Sequence, residues 1–183
     1  GGLTYNLGAH VIDQAVQLFG VPEAIFADID IIRTGGLVDD YFVIHLLRPS
    51  KAPHVKVTLK SSYLMCEPEP RFVLHGTEGS FVKYGLDRQE ADLNEGLMPG
   101  TANWGVEDES IWGLLHTEKD GNIVRHKYPS LAGDYAGFYD NIHRHLRLSE
   151  PLLTDAAGVL PVIRLIEAAW ESSKEGKVVK IGK

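Results

Sequence analysis

Two polar side chains near the start of the chain have the spacing to share one task. Asn6 and His10 stand four residues apart; positions i and i+4 of a helix lie one turn above each other on one face, so both can reach one small group. A histidine ring titrates close to neutral pH and can take or return a proton. An amide both donates and accepts hydrogen bonds and never carries a charge. Asp13, one turn beyond His10, is a second polar partner or a structural residue. By residue type alone, His10 also reads as a cap or packing residue, and Asn6 as a turn or N-cap residue.

The remaining candidates are more ambiguous. Tyr135 and Tyr139 are four apart and suit either the lining of a pocket for a hydroxyl-rich ligand or packing against a sheet. Lys83, at a strand end beside Gly85, reads as a solvated charge or as a contact to an anionic cofactor. His143 and His145 are only two apart, which on a helix points them away from each other, so no metal is expected there. The acidic run Glu107-Asp108-Glu109 reads as a solvated loop.

Several elements must hold these groups. Val11, Ile12, Ala15, Val16 and Phe19 fall on one side of residues 10–19, with His10, Asp13, Gln14 and Gln17 on the other, and Gly20-Val21-Pro22 stops that helix. Residues 24–33, 41–47 and 55–63 are rich in β-branched and aromatic types and are predicted strands of an antiparallel meander. In the third, Val55, Val57 and Leu59 alternate with Lys56, Thr58 and Lys60, giving one buried face and one that is wet or covered by a partner. A hairpin is expected over 71–75 and 80–84, and another over 111–117 and 123–128, turning at Asp120-Gly121. Helices follow over 135–148 and from Thr154, a plausible N-cap, to 174, with Pro161 predicted to kink or split the latter. Gly176 ends it, and 177–181 is a last short strand. The pattern is α+β: a large, mostly antiparallel sheet with helices packed on one face, in one compact unit.

Composition excludes other classes. The 183 residues carry a net charge of −7, which argues against a nucleic-acid or acidic-membrane partner, since those need clustered Lys and Arg. A single cysteine, Cys66, cannot form an internal disulfide and suits a reducing cytoplasm. No apolar run approaches the roughly 20 residues that cross a bilayer. The chain opens on Gly1-Gly2 without a Met, and so reads as the interior of a longer one. No Gly-x-Gly-x-x-Gly, Walker loop, Gly-x-Ser-x-Gly elbow or His-Glu-x-x-His is present.

Gly1-Gly2 followed by Asn6-Leu7-Gly8-Ala9-His10-Val11-Ile12-Asp13 resembles the opening of the C-terminal domain of the Gfo/Idh/MocA oxidoreductases, whose pattern carries Asp where this chain has Asn6. The likeness continues through residues 71–90, which contain His75-Gly76-Thr77-Glu78-Gly79, and through Trp104-Gly105, Gly133-Asp134-Tyr135 and Phe138-Tyr139. It resembles most closely the bacterial subfamily that includes an NADP-preferring scyllo-inositol dehydrogenase. The resemblance implies a glyceraldehyde-3-phosphate dehydrogenase-like C-terminal domain and the oxidation of a secondary hydroxyl of a sugar or inositol. It further implies NAD or NADP held mainly by an N-terminal Rossmann domain outside this chain, and a homodimer or homotetramer formed through the sheet face. His10 and Asn6 then act in catalysis, and Asp13, Tyr135 and Tyr139 line the substrate site. With Asn6 in place of Asp, the alternative is a binding or oligomerisation module of the same fold. A weaker one is a reductase of another carbonyl compound, biliverdin-like or an amino sugar.

Overall fold

A computed structural model describes residues 1–182, which fall into two compact units: residues 1–66 together with 154 onward, and residues 67–153. Both are antiparallel α+β structures.

In the first unit a π-helical turn, Thr4–Gly8, runs directly into helix α1, Ala9–Phe19. Helical structure therefore begins earlier than the apolar periodicity indicated. Ile12 and Ala15 are buried, and Val11, Val16 and Phe19 pack beside them, as the spacing predicted. Gly20 ends the helix at φ 83°, with its N–H on the Val16 carbonyl; a Cβ there would also lie 2.2 Å from Ser50 Oγ, so only glycine fits.

Strands β1 (Pro22–Asp30), β2 (Tyr41–Pro49), β3 (Val57–Ser62) and β8 (Val179–Lys180) form a sheet in the order β3-β2-β1-β8. Strict alternation buries Ile25, Ala27 and Ile29 of β1 and Phe42, Ile44 and Leu46 of β2 on one face. Helix α4, Ala156–Glu175, closes that face with Val162, Leu165, Ile166 and Ala169, and α1 joins the same core. The first strand stops at Asp30, short of the expected residue 33. The Asp40 carboxylate accepts the N–H groups of Ile32 (2.8 Å) and Arg33 (3.1 Å) and draws the backbone into a turn, leaving Ile31 and Ile32 exposed.

Two expectations for α4 are corrected by the structure. The N-cap is Asp155, not Thr154: its Oδ1 accepts the Gly158 N–H at 2.7 Å. Pro161 does not split the helix, which is continuous across it. Near the helix N-terminus the missing N–H removes one intrahelical bond, and the Val162, Leu165 and Ile166 side chains that follow are buried against the sheet. Beyond Ile25, where pairing with β8 ends, serine hydroxyls of α4 serve the β1 backbone. Ser172 Oγ accepts from Ala27 N–H (3.0 Å) and Ser173 Oγ from Ile29 N–H (2.8 Å).

The second unit holds strands β4 (Phe72–His75), β5 (Gly79–Lys83), β6 (Gly113–Lys119) and β7 (Asn122–Tyr128), in sequence order, so the strands divide between two four-stranded sheets instead of one large one. Asp120 and Gly121, both at positive φ, make the two-residue turn that their sequence signalled. Helix α2, Gln89–Asn94, was not anticipated; helix α3, Tyr135–Leu148, has the expected bounds, and Asp134 caps it by accepting the Gly137 N–H.

Candidate functional site

The first N–H groups of a helix have no partner within it, and here Asp39 supplies one. Its carbonyl accepts the Leu3 N–H (2.9 Å) and its carboxylate Oδ2 the Thr4 N–H (2.6 Å). Negative charge at a helix N-terminus is favourable, and Asp39 is buried while it serves there. A Cβ on Gly2 would sit 1.5 Å from Asp39 Oδ1, so the glycine leaves room for that carboxylate. The start of the helix is thereby tied to the residue that leads into β2.

From this anchored turn Asn6 and His10 both emerge into solvent. Helical structure is continuous from Thr4 to Phe19, which keeps residues four apart on a common face. π-Helical turns occur frequently at functional positions. The His10 ring makes no hydrogen bond or ion pair with the described residues, and both its nitrogens are available. Asn6 Nδ2 donates to the Tyr63 phenol oxygen at 3.4 Å, and nothing among the described residues donates to Asn6 Oδ1. Asp13 is half-buried.

Sequence reasoning missed Tyr63 and the Asp39-Asp40 pair. Tyr63 N–H is held by the Asp40 carbonyl at 3.0 Å, so the two adjacent aspartates organise the helix start, the 31–33 turn and the backbone of Tyr63 together. Two carboxylates directly before a β-branched and aromatic run were the available signal.

The other candidates lie in the second unit. Tyr135 has its N–H on Gln89 Oε1 (2.6 Å) and its ring edge-on to Trp104, at 6.5 Å between centroids. Tyr139, 69% exposed, stands edge-on to Phe138 at 5.4 Å. Both phenols are open to solvent, and neither ring is packed away under a sheet.

Lys83 is a correction. It is neither a solvated charge nor free for a cofactor, because its ammonium donates to Glu107 Oε2 (2.7 Å), the Ile111 carbonyl (2.8 Å) and the Tyr84 carbonyl (3.3 Å). Glu107 is likewise not solvated; its side chain is 6% exposed. The neighbouring Asp108 does face solvent, and hydrogen bonding from Ser110 lowers its pKa. Arg71 lies 5.8 Å over the Phe72 ring, and burial lowers its pKa. His145 Nδ1 contacts the Glu150 carbonyl at 2.6 Å. No group of three or more potential metal ligands, and no helix long and apolar enough to cross a membrane, occurs among the described residues.

Residues 1–181 match the model of an oxidoreductase family, specifically its C-terminal alpha/beta domain. Over 180 residues the chain is 34% identical to scyllo-inositol 2-dehydrogenase (NADP(+)) IolW of Bacillus subtilis, covering 98% of this chain and 49% of that protein. A crystal structure of a protein described as an oxidoreductase of Bacteroides fragilis superposes with a TM-score of 0.94 at 63% identity, over 99% of this chain and 54% of the other. The YvaA structure from Bacillus subtilis gives 0.92 at 34% identity, over 100% and 51%. The chain spans about half the length of the curated relatives it matches. With the family model matching nearly end to end and relatives above 30% identity over almost the whole chain, the protein belongs to the Gfo/Idh/MocA oxidoreductases, as their C-terminal alpha/beta domain.

Proposed function

We propose that this chain is the substrate-binding and catalytic half of a dehydrogenase that oxidises a secondary hydroxyl of a sugar or inositol with NAD or NADP. The observation that carries the reading is His10, exposed and unengaged beside Asn6 on a helical face anchored by Asp39. Oxidation of an alcohol carbon to a carbonyl releases a hydride and a proton. When bound, the nicotinamide supplies the hydride acceptor. His10 receives the hydroxyl proton on a ring nitrogen, a role that its unpartnered nitrogens fit. Asn6 orients the substrate by hydrogen bonding. With Lys83 sealed against Glu107, the dinucleotide draws its main contacts from outside this chain. The name of the NADP-using Bacillus subtilis relative supports both the cofactor class and an inositol-like substrate.

In the full-length protein assayed with scyllo-inositol and NADP+, His10→Ala is expected to lower kcat by about 10²- to 10⁴-fold. Normal turnover in that variant would overturn the assignment. A non-catalytic binding module is the second reading, favoured by Asn6 where the family pattern has Asp. Restoring the carboxylate with Asn6→Asp separates the two, because a gain in rate marks a weakened enzyme and no rate before or after marks a binding role.

The same proposal includes a homodimer or homotetramer formed through the sheet face opposite the core. There Phe26 and His45 pair across strands with their rings stacked 6.3 Å apart, and Phe26 remains partly exposed. Phe26→Glu should shift the sedimentation coefficient towards the monomer, and an unchanged value would remove this face from the interface. The lone, exposed Cys66 accords with a reducing, cytoplasmic setting.

A further inference from the structure

Counting protons at the site gives a task to a residue beyond the helical pair. Resting on the dehydrogenase reading above, we propose that Tyr63 selects substrates carrying a second hydroxyl next to the one oxidised, and that it binds this second group together with Asn6. A single alcohol offers one O–H proton. If His10 takes it, Asn6 Oδ1, which no described donor reaches, receives nothing from the same hydroxyl. In this arrangement Nδ2 is engaged, donating to the phenol oxygen of Tyr63, and Oδ1 is the atom that Asn6 has to offer.

That contact also fixes what Tyr63 offers. A phenol has one donor and two acceptor sites. With its oxygen accepting from Asn6, the O–H is left to point outward from a side chain that is 50% exposed. The site thus presents a proton acceptor at His10, a hydrogen-bond acceptor at Asn6 and a donor at Tyr63. One neighbouring hydroxyl satisfies the last two at once, donating to Asn6 Oδ1 and accepting from Tyr63 O–H. Side chains four apart on a helix have Cβ atoms about 5–6 Å apart, a span that a vicinal diol bridges with one hydrogen bond at each end. At 3.4 Å the Asn6–Tyr63 contact is long, so an incoming hydroxyl can tighten the pair without displacing either residue.

The test compares kcat/KM for trans-1,2-cyclohexanediol and cyclohexanol in the full-length protein with NADP+. The wild type should favour the diol by about tenfold or more, the scale of one hydrogen bond. Tyr63→Phe should bring this ratio close to one, with the loss on the diol appearing in KM and not in kcat. Asn6→Asp should also lower the ratio, because a carboxylate only accepts and would turn the phenol proton towards itself. A wild type with no preference, or a Tyr63→Phe enzyme that keeps it, overturns the assignment of Tyr63 while leaving the dehydrogenase reading intact. A wild type that oxidises neither compound, nor scyllo-inositol, overturns both. Should Tyr63→Phe lose all turnover, calorimetric titration with scyllo-inositol decides: weaker binding supports the role, and unchanged binding ends it.

Discussion

The two compact units solve the problem of a stable interior with different chemistry. Residues 1–66 and 154 onward bury a continuous apolar core, from Leu3 and Ile12 through Phe42 and Ile44 to Leu165 and Ile166. Residues 67–153 bury Gln89, Asp92, Glu107 and Asn141, with Trp104 the one large apolar side chain buried among those described. There the hydrogen bonds converge. Gln89 Oε1 accepts from both Trp104 Nε1 (3.0 Å) and Tyr135 N–H (2.6 Å). Asp92 accepts from Arg88 and from Gly105 N–H (2.8 Å), and Asn141 holds the backbone of Pro151 and Leu153. An apolar core is non-directional and tolerates changes that conserve volume. A buried polar network is directional, and each member depends on the others being in place. The first unit, which carries Asn6, His10 and Tyr63, should therefore yield to loss of volume, and the second to loss of a partner.

The largest expected effect is in the apolar core. Phe42→Ala should cost about 3–5 kcal/mol by cavity formation, read as a lower urea midpoint, while Phe42→Leu should cost much less; equal losses would contradict a packing-dominated interior. In the second unit, Glu107→Ala strands the Lys83 ammonium, 14% exposed, and should cost about 3 kcal/mol. The double change Lys83→Met with Glu107→Leu should recover most of that loss. If it does not, the pair contributes more than mutual neutralisation, and the contrast between the units is sharper than drawn. The smallest effect concerns a polar exception inside the apolar unit. Ser172 is fully buried, and its Oγ also donates to the Lys177 carbonyl at 2.6 Å. Ser172→Ala should cost about 1–2 kcal/mol and speed hydrogen exchange at the Ala27 amide.

What the sequence disclosed was local. The buried stripe of α1, the Gly20 stop, the Asp120-Gly121 turn and, from Val57 onward, the alternation of β3 all depend on neighbours within a few residues, where spacing has direct geometric meaning. The misreadings were long-range. Glu107 looks like any acidic loop residue until Lys83, twenty-four positions earlier in the chain, is folded against it. Residues 31–33 have strand character that loses to Asp40, seven to eight positions on. At the site, Asn6 and His10 were legible as a helical pair and through a family likeness. Tyr63 was not, because its partner is fifty-seven residues away. That the cap is Asp155 and not Thr154 turned on a single hydrogen bond that composition does not rank.

The serine hydroxyls of α4 have a consequence for how the protein behaves in crowded company. A strand with unpaired backbone groups at a sheet edge is a template for any extended chain that drifts past, and so for aggregation. β8 covers β1 only as far as Ile25. Beyond it, Ser172 and Ser173 occupy the Ala27 and Ile29 amides, and Ser173 Oγ donates to the Ile29 carbonyl at 3.2 Å. Two side chains of a helix thus close the stretch that a foreign strand would otherwise extend.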